Sequence, residues 1–359
     1  MIHHRTPAFD QILAQVLTRL KDIFKTTQPV FILSSTGSGG MESLLVNTMS
    51  PSDKVLVIDS GKFGERWAEM AKVYGAAVET IKIAWGESVS PALIDNLLQK
   101  QSDIKLVLCQ ACETSTGVVH PIKEIGEVIK KYPGTLFLVD GITALGAMPL
   151  PMDEWHIDGL VGGSQKAFML PTGLSLFSFS QKAWDKIPHA TCPRFYFDVR
   201  KELKANQSGE TFFSSNVTYI RALNVVMDLI FEKGLENLFA QIARRAQFTR
   251  HFGTELGLQL FAKNPSNSLT AFLVNADVDS QKVRLDLEKK HGITIMGGQD
   301  QAKGKIIRIG HMGYIDDVLL LQTMLSLYDV LKEHTREFLP PKNQFQNSMQ
   351  NWLKNNPDN

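Results

Sequence analysis

Two short stretches, Leu136-Phe137-Leu138-Val139-Asp140-Gly141 and Leu160-Val161-Gly162-Gly163-Ser164-Gln165-Lys166-Ala167, set how this chain folds. Each begins as an apolar run with the length and bulk of a buried strand. Asp140 closes the first run, and Lys166 stands just past the second. Taken singly, a lysine after a strand is usually a solvated charge, and an Asp-Gly pair is usually a turn. The pattern around them gives the pair its weight.

Working outward, strands alternate with helices of about ten residues. Val30-Phe31-Ile32-Leu33 is followed by a glycine-rich turn and a helix from Met41 to Met49. Val55 to Ile58 precedes a helix from Phe63 to Tyr74, and Val78 to Ile83 precedes one from Pro91 to Lys100 that starts on proline. Ile104 to Leu108 and the Leu136 run flank a helix from Ile122 to Lys131, and Leu174 to Phe177 adds a last strand. Such alternation predicts an α/β fold with a mostly parallel sheet covered on both faces. Ligands then bind beyond the carboxyl ends of the strands, where Asp140 and Lys166 both fall.

At the amino end, Phe9, Ile12, Leu13, Val16, Leu17, Leu20 and Ile23 recur at helical spacing. Beyond Asn216 the chain turns helical, from Val217 to Phe231 and from Leu235 to Leu256. A smaller C-terminal α+β domain follows, with strands at Ala271–Val274, Ile293–Met296 and Ile306–Ile309 and helices at Ser280–His291 and Ile315–His334. The expected organisation is an N-terminal segment 1–14, a large domain 15–243, a small domain 244–338 and a polar tail 339–359 not packed into the core.

With 359 residues the chain exceeds what one core usually holds. Its 43% hydrophobic and 21% charged residues are ordinary for a globular protein. A net charge of +1 offers no field for nucleic acid and no basic face for a membrane. The start lacks the basic-then-apolar plan of a secretory signal, and the three cysteines are too few to staple a protein of this size, so a reducing cytoplasm is the expected home. Cys109 and Cys112 have the C-x-x-C spacing, but they end a strand-like run and no second pair completes a metal site. Two buried or half-buried thiols are expected there.

Thr36-Gly37-Ser38-Gly39-Gly40-Met41-Glu42 lies between a strand and a helix, where backbone N–H groups can face an anion. It lacks the Gly-Lys-Ser/Thr of a nucleotide P-loop and the last glycine of the dinucleotide fingerprint. With Lys166 and Asp140 in the same sheet, a phosphate is the favoured occupant. A lysine that can form a Schiff base and an aspartate that can hold a protonated ring nitrogen are what pyridoxal phosphate chemistry needs. Arg308 sits among apolar neighbours, where an unpaired guanidinium is costly, so a carboxylate partner is expected.

From Ile2 to Tyr314 the sequence resembles the class V aminotransferases of pyridoxal phosphate fold type I, most of all the alanine–glyoxylate and serine–pyruvate (serine–glyoxylate) branch. The matching segments occur in the family's order: His4-Arg5-Thr6-Pro7-Ala8-Phe9, Thr36 to Gly39, Glu113-Thr114-Ser115-Thr116-Gly117, Leu138 to Asp140, Gly163 to Ala167 and Arg308-Ile309-Gly310. The resemblance implies that Ser38, Gly39 and Gly40 bind the cofactor phosphate and that Phe63 stacks on its ring. It implies that Thr114 contacts the ring's 3-oxygen, Asp140 the ring nitrogen, and Gln165 the phosphate or ring oxygen. Lys166 would be the Schiff-base lysine and Arg308 the clamp on the substrate's α-carboxylate. Thr211 and Ser214 resemble the segment that reaches the phosphate of a neighbouring subunit, which implies a homodimer with shared active sites; alternatively they cap the following helix. No metal is implied.

The expected activity is transfer of an amino group from alanine or serine to glyoxylate or pyruvate, in ping-pong fashion. The lack of an obvious second cationic clamp suits a small neutral donor. Relatives carry some two dozen residues before the His-Arg segment, with a Gly-Pro loop that shapes the substrate pocket; here that loop is expected to be absent or the start site misassigned. Two rivals stand beside this reading. A desulfurase- or kynureninase-like lyase shares the scaffold, but a desulfurase needs a late nucleophilic cysteine and none follows Cys192. A non-catalytic, subunit-like relative is the other, against which Lys166, Asp140 and Arg308 are all in place.

Overall fold

The apolar runs form a seven-stranded sheet in a computed structural model that describes residues 2–335 and 338–357. Its strands are β1 (Val30–Leu33), β2 (Lys54–Asp59), β3 (Ala77–Lys82), β4 (Ile104–Gln110), β5 (Leu136–Asp140), β6 (Gly159–Gly163) and β7 (Ser175–Phe179), in the order β1-β7-β6-β5-β4-β2-β3. β7 runs antiparallel to both β1 and β6, and every other pairing is parallel. All strands except β7 therefore end on one edge. Asp140 pairs in register with Gln110 on one side and Val161 on the other.

β1, β5, β6 and β7 are buried along their whole length, as a sheet covered on both faces requires. One face packs under α1 (Pro7–Phe24) and the helices Pro91–Lys100, Ile122–Ile129 and Val217–Lys233. The other packs under α2 (Gly37–Thr48), α3 (Lys62–Val73) and the helix Gln181–Lys186. α2 lies tight on the sheet because of Gly40: a Cβ there would stand 2.6 Å from Val161 Cγ2 and 2.8 Å from Ser175 Cβ.

A second sheet, of four antiparallel strands, orders Gln259–Leu260, Leu269–Leu273, Ile306–Gly310 and Met296–Gly297. The strand expected over Ile293–Met296 is reduced to Met296–Gly297, because only those two residues pair with the Ile306 strand. The helix Leu235–Glu255 joins the two bodies. Leu235 belongs to the large core, whereas Phe248 and Phe252 belong to the small one, so a boundary near 243 falls inside a shared helix. A boundary at 14 likewise falls inside α1, whose Phe9, Leu13, Val16 and Leu20 all enter the large core. No helix among the described residues is long and apolar enough to cross a membrane.

The tail corrects the sequence reading. Lys342–Asn355 is a helix, and Phe345 and Met349 are fully buried in the small-domain core. Phe345 stacks on Tyr328 at 5.5 Å, Trp352 meets Phe248 edge-on at 5.3 Å, and the Tyr328 hydroxyl donates to Pro340 O at 2.7 Å. Phe345, Met349 and Trp352 are spaced by four and three, a helical stripe that the asparagine-rich composition hides. Phe345→Ala is expected to cost about 3–5 kcal/mol in urea unfolding, as for other buried phenylalanines; a loss below about 1 kcal/mol would make this helix peripheral.

Candidate active site

The carboxyl edge of the sheet gathers most of the residues picked from the sequence. Asp140, the last residue of β5, is 5% exposed, and its Oδ1 accepts from Ile142 N at 2.9 Å. Burial pushes its carboxyl up to about 7, and the charge of Glu113 adds to this. The bond from Ile142 N and the cations Arg66 and Lys166 oppose the shift. Such a carboxyl is poised to take a cationic partner.

Lys166 lies on the loop after the neighbouring strand β6. Ser164, fully buried, ties that loop at both ends: its N–H donates to Leu174 O, its hydroxyl donates to Pro171 O at 2.8 Å, and it accepts from Leu174 N at 3.1 Å. Met169 N closes a turn on Lys166 O at 3.0 Å, with Met169 at a φ of +57°. A left-handed methionine costs roughly 1–2 kcal/mol, a strain of the kind held at functional loops. Burial, and then the charge of Arg308, lower the Lys166 ammonium from its ordinary value, while the Asp140 carboxylate pulls the other way. A lysine so placed gives up its proton more readily and becomes a nucleophile.

The loops after β1 and β2 meet beside this pair. In the first turn of α2, Gly39 N and Gly40 N bond to Thr36 O, at 2.9 and 3.3 Å. Among the described residues the N–H groups of Gly37 and Ser38 have no acceptor, whereas those of Gly39 and Gly40 are taken by Thr36 O. The Ser38 hydroxyl accepts from Arg66 at 2.9 Å. Phe63, half-buried at the start of α3, carries the Arg66 guanidinium over its ring at 4.8 Å. It is not a core residue.

Glu113 is the residue that sequence reasoning missed. Its buried carboxylate accepts from Phe63 N, Gly64 N and Ser115 N, each at 3.1 Å, and from the Ser115 hydroxyl at 2.5 Å. It thus caps α3 and pins the segment that carries Phe63. Gly61 makes room for it: a Cβ there would fall 2.3 Å from Ser115 Oγ. The only signal in the sequence was a glutamate at the end of an apolar strand, beside a Gly-Lys-Phe-Gly turn some fifty residues away.

Arg308 enters from the small domain. Its Nε donates to Gly297 O at 3.0 Å and its guanidinium to Thr114 O at 2.5 Å. Two carbonyls, rather than a carboxylate, occupy it, which leaves donors of its fork for an anion. The Thr114 hydroxyl lies 2.6 Å from that of Thr143. Among the described residues, Gln165 Oε1 is buried without a partner. Thr211 and Ser214 lie on the segment before the helix Val217–Lys233, where Asn216 N donates to Ser34 Oγ at 3.1 Å, on the loop after β1. Asn216, not they, caps that helix by accepting from Tyr219 N, and the Thr211 hydroxyl donates to Phe213 O at 2.8 Å. Cys109 and Cys112 are buried free thiols; burial raises both, Cys112 to about 12, so neither is a thiolate.

A family model described as aminotransferase class-V matches residues 1–315. The chain is 37% identical over 338 residues to the small subunit of a soluble hydrogenase from Synechococcus sp. (strain PCC 6716), covering 92% of this chain and 87% of that protein. It is 37% identical over 340 residues to an L-aspartate–glyoxylate aminotransferase of Paracoccus denitrificans (strain Pd 1222), covering 92% and 86%. The solved alanine–glyoxylate aminotransferase of Nostoc sp. matches with a TM-score of 0.88 at 29% identity, covering 92% and 89%. The α/β fold expected from the sequence is the one these enzymes share.

Asp140 should leave a mark on stability. Because its carboxyl titrates higher when folded than when unfolded, the native state holds the extra proton between about pH 4 and pH 7. Stability from this group is therefore lost as pH rises through that window. In ligand-free protein, the difference in unfolding free energy between wild type and Asp140→Asn should shift by on the order of a few kcal/mol from pH 4 to pH 8, with wild type losing. Parallel curves would mean that the carboxyl is not desolvated.

Proposed function

The chain belongs to the class V aminotransferases, and we propose that it moves an amino group from a small amino acid to a small 2-oxo acid, glyoxylate first, with pyridoxal phosphate as its cofactor. The observation that carries this reading is the desolvated carboxyl of Asp140 on the strand next to the lysine of lowered basicity, Lys166. The residues present fit the cofactor. Among the described residues Asp140 makes no direct ion pair, Gln165 Oε1 lacks a donor, and the Gly37 and Ser38 N–H groups lack an acceptor. Bound there, pyridoxal phosphate supplies an electrophilic carbonyl and a ring that takes up the electron pair released when the substrate Cα–H bond breaks.

The chain's own groups do the rest. Lys166 Nζ would hold the cofactor at its carbonyl carbon and, when free, would carry the α-proton as general base and then acid. Asp140 keeps the ring nitrogen protonated. Thr114 holds the ring's 3-oxygen and Gln165 the phosphate or ring oxygen, with Ser38, Gly39 and Gly40 forming the phosphate turn. Phe63, steadied by Glu113, would stack on the ring. Arg308 pairs with the α-carboxylate of donor and acceptor alike, as its planar fork allows. Each substrate enters the same site after the other's product has left, which is ping-pong order.

The protein acts as a homodimer, with Thr211 and Ser214 reaching the partner's phosphate. Ser214 is exposed, and the segment carries Phe212 and meets the exposed Phe195, an apolar surface that a second copy would cover. Glyoxylate heads the acceptors because the Paracoccus and Nostoc relatives both name it.

Single half-reactions test the assignment. Protein loaded with pyridoxal phosphate and mixed with L-alanine or L-serine alone should lose its visible absorbance and regain it with glyoxylate. Bleaching by L-aspartate only would replace the donor and keep the class; bleaching by no amino acid would remove the aminotransferase reading. Arg308→Lys should raise the KM of donor and oxo acid together, by roughly 10- to 100-fold, since a bidentate charge-assisted pair is worth about 1.5–3 kcal/mol. A rise for the donor alone would mean that another group holds the acceptor.

A further inference from the structure

One arginine in this site has no role in the reading above. Arg66 stands on α3, three residues after Phe63, and that spacing lays its guanidinium over the Phe63 ring at 4.8 Å. The same side chain crosses to α2 and donates to Ser38 Oγ at 2.9 Å. Among the described residues no carboxylate pairs with it. Its neighbour Lys62 is committed elsewhere, with its ammonium 2.6 Å from Glu65 and 2.7 Å from Asp300.

The turn that Arg66 touches is short of positive charge for its proposed occupant. A phosphate monoester carries close to two negative charges at neutral pH. The N-terminus of α2 offers about half a unit, through the N–H groups of Gly37 and Ser38. Lys166 is committed to the cofactor's aldehyde carbon in that reading. We propose that Arg66 is a cofactor-binding residue, the side-chain cation that neutralises the phosphate at Ser38 while fixing Phe63 as the platform for the ring. This rests on the pyridoxal phosphate reading of the site. A lysine could supply the charge but not both contacts, because only a planar guanidinium stacks on a ring while its edge donates. The charge also reaches Asp140, whose carboxyl Arg66 draws toward ionisation.

The test is the affinity of the cofactor-free protein for pyridoxal phosphate and, separately, for pyridoxal, which keeps the aldehyde and ring but has no phosphate. Both are read by equilibrium titration of the visible absorbance. Arg66→Gln should weaken pyridoxal phosphate by about 10- to 100-fold, the range for a hydrogen bond to a charged group, and pyridoxal by less than about threefold. Inorganic phosphate should compete with pyridoxal phosphate less well in the variant than in wild type. Arg66→Lys should fall between wild type and Arg66→Gln. Unchanged affinity for pyridoxal phosphate in Arg66→Gln overturns the proposal, and so does an equal loss for both compounds, which would make Arg66 a support for Phe63 only. If Arg66→Gln does not fold, Arg66→Lys carries the same comparison, with circular dichroism as the check on folding. Wild type that binds neither compound is the failure of the cofactor reading itself, before Arg66 is reached.

Discussion

The site is organised around one carboxyl group held almost out of water. Asp140 ends a strand that is buried on both faces, and its neighbours in the sheet, Gln110 and Val161, are fully buried too. An ionised carboxylate in such a place is expensive unless a cation meets it. The fold answers with cations at the edges, Lys166 from the next loop and Arg66 from α3, and leaves the remaining demand to a ligand. The parallel crossovers make this possible, because they deliver the ends of β1, β2, β4, β5 and β6 to the same edge.

A second buried carboxylate serves geometry instead of chemistry. Glu113 spends its four hydrogen bonds on the entry to α3 and on Ser115, so the loop bearing Phe63 is fixed to the loop bearing Thr114. From there the order continues into the small domain. Ser266 N bonds to Gly117 O at 2.8 Å, Arg308 bonds to Thr114 O, and Lys62 meets Asp300. Asp300 itself holds a φ of +43°, so the turn facing Lys62 is strained as well as charged. The substrate end of the site is thus built from contacts between two bodies, and its shape depends on how they sit together.

Much of this was legible in the sequence because burial writes itself as apolar runs. The ends of those runs located Asp140 and Lys166, and the glycine-rich stretch located the turn at α2. What stayed hidden was any feature fixed by a partner far along the chain. Two of the four donors to Glu113, Phe63 N and Gly64 N, lie some fifty residues before it, and the carbonyls that take up Arg308 carry no side-chain signal at all. Nothing in the sequence singles out Arg66, whose contact with Ser38 exists only because α2 packs beside α3. The tail was misread for a different reason: its three apolar anchors are diluted by asparagine and glutamine, so composition outweighed spacing. Thr211 and Ser214 were chosen by likeness alone.

The central claim is that Lys166 is the amine that carries the cofactor, facing Asp140. The most direct measurement is borohydride reduction of protein loaded with pyridoxal phosphate, followed by proteolysis and mass spectrometry of the labelled peptide. The account predicts one modified peptide, containing Lys166, and none from the Lys166→Ala variant. A label on any other lysine, or fully loaded protein that yields no reduced adduct, would contradict it.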